Sequence, residues 1–313
     1  MRALITGATG FVGRRLLEQL GAAGWEPAVV LSRDAAAAES KLAEHAVKAF
    51  GWQSTQEPPP AEAFDGVDVI FNLAGEPVAE GRWNAAKCDR IRDSRVVGTR
   101  HLVDAIAARE DRPKVLVSAS AVGFYGDRGD TILDESAEPA TGFLADVCVE
   151  WEREAMRAAE LGVRVVCLRI GVVLGRGGGA MGKMLTPFKM GVGGRLGNGK
   201  QWMPWIHLDD VVGLLMHGAN TESLSGPMNG VAPESATNLQ FTKALGRVLG
   251  RPTIFPVPAF ALRAAVGGFA EVLLESQQIV PRVAQESGYE FQYPGVDAAL
   301  TEVVRGKTSS AVA

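Results

Sequence analysis

The sequence is poor in the residues that build disulfide frameworks and metal sites. It has three cysteines and four histidines in 313 residues. Cys88, Cys148 and Cys167 cannot all pair with one another and none belongs to a CxxC motif, which indicates reduced thiols. The histidines are scattered, and the sequence has no HExxH motif and no Cys/His cluster. We therefore expect neither a disulfide scaffold nor a metal site.

Long apolar runs and blocks of one charge are also absent. No stretch of about eighteen apolar residues exists, so no transmembrane helix is expected. The first residues run directly into a glycine-rich motif, which leaves no room for a cleavable signal peptide. The net charge is −4 without a lysine/arginine block, so nothing favours nucleic-acid binding. We expect a cytoplasmic monomer or homodimer that binds neither nucleic acid nor membrane.

Short apolar runs alternate with amphipathic segments through the first half of the chain. The runs predict strands at 2–6, 28–32, 67–73, 114–118 and 163–169. Continuous apolar strands separated by helical stretches are typical of right-handed βαβ units in a parallel sheet that is covered on both faces. The predicted fold class is α/β, a doubly wound parallel sheet of the Rossmann type with a smaller, mostly helical C-terminal substrate cap. We place the dinucleotide-binding core at 1–170 and the substrate-side loops and cap at 171–306, with parts of 200–232 returning to the core.

The strongest motif is a glycine-rich turn that follows the first predicted strand and opens a predicted helix, which is the context such a motif needs. Gly7 permits a tight turn, Gly10 lets the backbone approach a pyrophosphate, and Gly13 lets helix and strand pack closely. The amides at the helix N-terminus then bind the pyrophosphate. The turn predicts a dinucleotide cofactor held by Gly7, Gly10 and Gly13.

The end of the second predicted strand indicates which dinucleotide is bound. An acidic residue there would bind both ribose hydroxyls of NAD, but this strand ends in Ser32-Arg33. A guanidinium is a planar, permanently charged fork that suits a 2′-phosphate. Asp34 follows, so NAD stays open as the less favoured cofactor. The sequence predicts NADP(H), with Arg33 at the adenosine ribose phosphate.

The turn resembles that of extended short-chain dehydrogenases/reductases. Further stretches are similar to an atypical group, the "epimerase family" (nucleoside-diphosphate-sugar epimerase-like) with a C-terminal cap. These stretches are 72–75, 118–126, 169–175 and 204–210. The resemblance implies that Thr9, Phe11 and Val12 also bind the cofactor. It further implies that Leu73, Ala74 and Gly75 line the cofactor, and that Ser118 and Ser120 lie beneath the nicotinamide. A shared fold does not by itself establish a reaction.

One departure from this resemblance concerns the proton-transfer pair. Standard members carry Tyr-x-x-x-Lys on the helix after the serine strand, where lysine lowers the tyrosine pKa from its ordinary value of about 10. Phe143 and Val147 occupy those positions here, and neither can transfer a proton. A second departure puts Met203 and Pro204 where an arginine for a sugar-nucleotide diphosphate often stands. Both departures count against the usual sugar-epimerase mechanism.

Other side chains could supply the missing proton donor. Ser120 and Tyr125 are the predicted catalytic residues, because both lie near the nicotinamide end of the serine strand. The predicted substrate pocket contains these two residues together with Trp202 and His207. Further candidate acids are Asp146, Cys148 and Asp209. A set of apolar residues could line a pocket over the nicotinamide: Met181, Met184, Phe188 and Met190.

Three functions stay open. The favoured one is an NADP(H)-dependent oxidoreductase of an unknown small molecule, because hydride transfer needs only a well-placed cofactor, an electrophilic carbon and a donor for its oxygen. The second is a nucleotide-sugar epimerase or dehydratase. The third is an NADP(H)-binding sensor or regulatory protein without turnover and without a small-molecule substrate. Loss of the proton-transfer pair beside a retained cofactor turn is what the sensor hypothesis predicts.

Overall fold

The computed structural model describes residues 1–306. The strands are β1 (Ala3–Thr6), β2 (Val29–Ser32), β3 (Lys48–Gly51), β4 (Val69–Asn72), β5 (Val115–Ala121), β6 (Ile132–Leu133), β7 (Arg164–Ile170), β8 (Val172–Leu174), β9 (Trp202–Met203), β10 (Trp205–His207), β11 (Gly226–Gly230), β12 (Ala236–Thr237) and β13 (Gln278–Ile279). The α-helices are α1 (Phe11–Ala22), α2 (Ala35–Lys41), α3 (Ala85–Ala107), α4 (Phe143–Met156), α5 (Gly179–Lys189), α6 (Leu208–Asn220), α7 (Asn238–Leu249), α8 (Ala259–Val266), α9 (Phe269–Leu274), α10 (Arg282–Glu286) and α11 (Val296–Arg305).

The described chain forms two compact units. The sheet unit contains residues 1–124, 139–169 and 212–228, and the cap unit contains 125–138, 170–211 and 229 onward. The segment 125–138 differs from the sequence prediction, which assigned it to the core. It belongs to the cap unit because β6 pairs in parallel with β13, and because Arg128 N donates to Ser276 O at 3.0 Å.

A seven-stranded sheet with the order β11-β7-β5-β4-β1-β2-β3 forms the centre of the fold. The pairings β5–β4, β4–β1, β1–β2 and β2–β3 are parallel. Leu4 on β1 lies between Val29 on β2 and Ile70 on β4. Strand order runs outward in both directions from β1 and β4. This reversal is the switch point of a doubly wound Rossmann-type sheet, and it opens a crevice at the carboxyl ends of the strands. The predicted fold class is confirmed.

The core of the sheet unit comes from the apolar runs that predicted its strands. Leu4, Ile70 and Leu116, on three neighbouring strands, have no exposed surface. Leu102 and Ile106 of α3 cover one face of these strands in the same hydrophobic cluster. Burying each such side chain contributes about 1.5–3 kcal/mol. The rigid sheet that results holds the loops at its carboxyl edge in place.

The cap unit has its own core, built mainly on α7 and α11. Phe241 and Leu245 of α7 cluster with Leu300 and Val303 of α11, and all four are buried. Helix α7 begins at a capping box, in which the Thr237 side chain and that of the third helical residue each bind the other's backbone N–H. Such a cap stabilises the helix start by about 1 kcal/mol.

Metal-binding clusters and membrane-spanning helices are not found in the described part of the chain. No group of three or more His, Cys, Asp or Glu side chains among residues 1–306 is arranged to hold a metal ion. No helix in that range is long and apolar enough to span a bilayer. The three cysteines are free. Burial raises the pKa of Cys148 to about 12 and also raises the pKa of Cys167. Both of these thiols therefore stay protonated at neutral pH.

Candidate functional site

The glycine turn between β1 and α1 forms a cradle without side chains. Gly7 has φ +72, and a Cβ there would lie 2.8 Å from the carbonyl oxygen of Leu73. A Cβ on Gly13 would lie 2.4 Å from Gly7 O, so this helix–strand contact requires glycine. Gly10 caps α1 and its N–H donates to Gly7 O at 3.0 Å. The first amides of α1 have no partner within the helix, so this geometry fits a bound pyrophosphate.

A buried hydrogen-bond network fixes the end of β4 against this turn. The Thr6 hydroxyl donates to Asn72 Oδ1 at 2.9 Å and accepts from the amides of Leu73 and Ala74, each at 2.9 Å. Asn72 Nδ2 in turn donates to Thr99 Oγ1 at 2.9 Å. Residues 73–75, predicted to line the cofactor, are thus positioned by two polar side chains that sequence reasoning missed. The available signal was a Thr and an Asn, each ending an apolar strand.

Ser118 is part of the same network. It is fully buried, its Oγ accepts from Asn72 Nδ2 at 3.2 Å, and it donates to Ala119 O at 3.3 Å. These partners lie inside the protein and hold β4 to β5. Direct contact between Ser118 and the cofactor stays a prediction that the geometry does not support.

The residues after β2 favour a 2′-phosphate over free ribose hydroxyls. Asp34 caps α2, because its Oδ1 accepts from the amide of Ala37 at 2.9 Å. The one nearby carboxylate is therefore used by the helix N-terminus. Arg33 is exposed directly beside it. Its guanidinium is accessible to a phosphate, and its contact with the adenosine ribose phosphate stays a prediction.

Ser120 belongs to a polar triad at the carboxyl end of β5. Its Oγ donates to Glu152 Oε1 at 2.6 Å. Arg169 binds both oxygens of the same carboxylate, with Nε 2.8 Å from Oε1 and Nη2 2.9 Å from Oε2. The Arg169 guanidinium also lies 3.5 Å from the centroid of the Phe124 ring. Bidentate, charge-assisted bonds of this kind hold a carboxylate in one orientation.

This triad limits what Ser120 can do in its predicted catalytic role, which stays a prediction. A serine hydroxyl has one proton, and here that proton is directed to Glu152. While the carboxylate is ionised, Ser120 can accept a hydrogen bond from a substrate hydroxyl but cannot donate one to a substrate carbonyl. Glu152 was not predicted, and it gives the site a proton acceptor in place of the missing tyrosine and lysine.

Tyr125, the other predicted catalytic residue, lies in the cap unit and is fully buried. Its hydroxyl donates to Asn229 Oδ1 at 2.7 Å, and Asn229 Nδ2 donates to Val280 O at 3.0 Å. The phenol thus fixes the interior of the cap unit. This geometry does not support the predicted catalytic and pocket role, because no face of the ring is open to a ligand.

His207 and Trp202, predicted to line the substrate pocket, also have partners inside the cap unit. His207 Nδ1 accepts from the amide of Asp209 at 3.1 Å, so its proton is on Nε2, 3.0 Å from Glu302 Oε2. The buried imidazole thereby ties α11 to the junction of β10 and α6. Trp202 is half-buried, and its indole N–H donates to Asp130 Oδ1 at 2.9 Å.

Catalytic roles for the remaining sequence candidates stay predictions. Cys148 keeps its proton and lies 3.6 Å from Ala121 O, and Asp146 is exposed. Phe143 packs edge-on against Trp83 with ring centroids 5.7 Å apart. Of the apolar residues expected over the nicotinamide, Met181 and Phe188 are buried in the cap core, Met184 packs against that core, and Met190 is exposed. Val147, at the position of the missing lysine, and the candidate acid Asp209 are both buried.

Comparisons with known proteins agree with this architecture. Residues 3–226 match the NAD dependent epimerase/dehydratase family, and residues 257–303 match a domain of unknown function, DUF1731. The chain is 41% identical over 308 residues to the "epimerase family protein SDR39U1 homolog, chloroplastic" of Arabidopsis thaliana, covering 97% of this chain and 87% of that protein.

Two solved structures are similar over nearly the whole chain. The crystal structure of human epimerase family protein SDR39U1 (isoform 2) with NADPH has a TM-score of 0.86 at 35% identity, and the match covers 97% of this chain and 99% of that one. The nucleoside-diphosphate sugar epimerase from Corynebacterium glutamicum has a TM-score of 0.78 at 33% identity, covering 97% of this chain and 58% of that one.

Proposed function

The chain belongs to the NAD dependent epimerase/dehydratase family, and we propose that it is an NADP(H)-dependent oxidoreductase of a small molecule. The resemblance noted in the sequence is thereby confirmed at the level of the family. The cofactor assignment is supported by the glycine cradle, by exposed Arg33 beside a capped Asp34, and by NADPH in the human relative. When bound, NADP(H) accepts or gives a hydride at the substrate carbon.

The observation that carries the proposal is the Ser120–Glu152–Arg169 triad. In the direction of alcohol oxidation, the substrate hydroxyl gives its proton to Ser120 Oγ while the Ser120 proton moves 2.6 Å to Glu152 Oε1. The products are a carbonyl compound and a protonated Glu152. In the direction of carbonyl reduction the same two protons move back. Arg169 orients the carboxylate, so the relay is arranged before substrate binds.

The Glu152→Gln variant tests this relay. A general base typically contributes about 10²–10⁴-fold, so turnover should fall by about that factor while NADPH affinity stays unchanged. The measurement is NADP⁺ reduction with a panel of alcohols and NADPH oxidation with the matching carbonyl compounds. Glu150→Gln is the matched control, because Glu150 lies on the same helix and pairs with the exposed Arg92. Full activity in Glu152→Gln on any substrate found would contradict the relay.

A sensor without turnover is the second candidate. It is favoured by Tyr125 and His207, two residues of the predicted substrate pocket, because both bind partners inside the cap unit. Tight NADPH binding with no turnover across the whole panel would support the sensor and contradict the oxidoreductase.

A nucleotide-sugar substrate, which the name of the Corynebacterium relative suggests, is the least favoured. Phe143 packs on Trp83 and Val147 is buried, so neither position can transfer a proton to or from a sugar. Epimerisation with a UDP-sugar panel is the direct measurement, and we expect none.

Location and assembly stay predictions. We propose a cytoplasmic monomer or homodimer. The Arabidopsis relative is named chloroplastic, so family membership alone does not fix a compartment.

A further inference from the structure

Arg95, on α3 of the sheet unit, is a half-buried cation without a countercharge. Its Nη1 donates to two backbone carbonyls, Glu76 O at 3.1 Å and Ile91 O at 3.0 Å. The guanidinium lies over the Trp151 ring, 5.2 Å from its centroid. No carboxylate among residues 1–306 forms an ion pair with it, and its Nε and Nη2 have no hydrogen-bond partner in that range.

The ionisable groups that face Arg95 do not neutralise it. The carboxylate of Glu76 is bound by Lys87 at 2.8 Å and Arg90 at 3.4 Å, and the Lys87 hydrogen bond holds the pKa of Glu76 below its usual range. The thiol of Cys148 keeps its proton, because burial raises its pKa to about 12. A guanidinium stays charged in proteins, and a charge withdrawn from water usually has a partner of opposite sign. The partner of Arg95 is therefore expected to come from a ligand.

The position of Arg95 identifies where that ligand binds. The guanidinium lies flat against Gly75, where a Cβ would be 3.0 Å from Arg95 Cζ and 3.1 Å from Nη2. Gly75 follows β4 at the carboxyl edge of the sheet, two residues after Leu73, which contacts the turn at Gly7. Arg95 thus lies beside the cofactor cradle. Trp151, whose ring contacts the guanidinium, immediately precedes Glu152 in the chain.

We propose that Arg95 binds an oxyanion of the substrate, a carboxylate or a phosphate, so that the substrates are small anionic hydroxy or oxo compounds. This inference rests on the proposed function, because it names the substrate class of the same site. The planar fork of arginine matches both oxyanions. The cofactor pyrophosphate has the same chemistry, but the helix amides of the glycine turn already provide for it.

Binding measurements separate these sources. We would titrate oxamate and inorganic phosphate separately into the protein–NADPH complex by calorimetry. The wild type should bind at least one of them, and Arg95→Gln should bind it about tenfold or more weakly. Gly75→Ala keeps the charge but displaces the guanidinium, so it should show the same loss. Arg92→Gln, which removes a cation from the same helix that already pairs with Glu150, should bind like wild type.

Three results would overturn the inference: wild type binds neither probe, Arg95→Gln binds as wild type does, or Arg95→Gln loses NADPH affinity about tenfold. The last would assign the guanidinium to the cofactor. If Arg95→Gln fails to fold, Arg95→Lys and Gly75→Ala carry the test, with thermal unfolding as the check. Because these are binding readouts, a failure of the oxidoreductase proposal, seen as absent turnover, is distinguishable from a failure of the Arg95 assignment.

Discussion

Replacing Arg33 by alanine should remove the preference for NADPH over NADH while leaving the fold intact. The Arg33 side chain is exposed, and the hydrogen bond seen at this residue is to its backbone oxygen, from Gln53 Nε2 at 3.4 Å. Surface substitutions of this kind change stability by about 0.5 kcal/mol or less. The variant therefore isolates the contact with the cofactor.

The size of the effect follows from the chemistry of that contact. A hydrogen bond to a charged group contributes about 1.5–3 kcal/mol, and each 1.4 kcal/mol is a factor of about ten in affinity. NADPH affinity should fall about ten- to hundredfold, and NADH affinity should stay the same because NADH has no 2′-phosphate. Asp34 does not alter the affinity for either dinucleotide in Arg33→Ala, since its carboxylate caps α2.

The assay is a calorimetric titration of both dinucleotides into wild type, Arg33→Ala and a matched control, Lys41→Ala. Lys41 is an exposed cation at the other end of α2, so its loss should leave both affinities unchanged. An unaltered NADPH/NADH ratio in Arg33→Ala would refute the assignment of Arg33 to the 2′-phosphate.

Two further predictions concern stability. Burial raises the pKa of Glu135, so folding favours its protonated form and wild-type stability should fall as pH rises from the unfolded pKa through the folded one. Glu135→Gln keeps an acceptor for the amides of Asn229 and Val283, so its melting temperature relative to wild type should rise between pH 4 and pH 8; a constant difference would contradict the buried carboxylate. Thr6→Val leaves the Asn72 carbonyl oxygen and the Ala74 amide without a partner, while the Leu73 amide keeps its bond to the Thr6 backbone oxygen, and should cost about 2–5 kcal/mol in denaturant unfolding; a loss below about 1 kcal/mol would show that the network does not hold the end of β4.

The fold and the glycine turn could be predicted from the sequence because their signals are local. Apolar runs mark the strands, and Gly7, Gly10 and Gly13 are close in the chain. Glu152 could not be predicted, because Glu150, Glu152 and Glu154 alternate along α4 and nothing local distinguishes them. Only the fold separates their partners, which are Arg92 for the first, Ser120 and Arg169 for the second, and Arg100 and Arg157 for the third.

The surroundings of Tyr125 could not be predicted from local sequence either. Its place after the serine strand suggested a contact with ligand, but the chain enters the cap unit at this residue. The pairing of β6 with β13 that fixes the segment joins residues far apart in the sequence, and its two-residue strands give almost no pattern. Arg95 was missed because an arginine in a helix is ordinarily a surface residue.

The most direct test of the central claim is NADPH binding to wild type and to Gly10→Ala. A Cβ on Gly10 would meet only Gly7 O, at 3.1 Å, so the variant should fold, but the added methyl group lies where a pyrophosphate must approach the helix amides. The account predicts that wild type binds NADPH and that Gly10→Ala binds it about ten- to hundredfold more weakly. No affinity in wild type, or equal affinity in a folded Gly10→Ala, would contradict it.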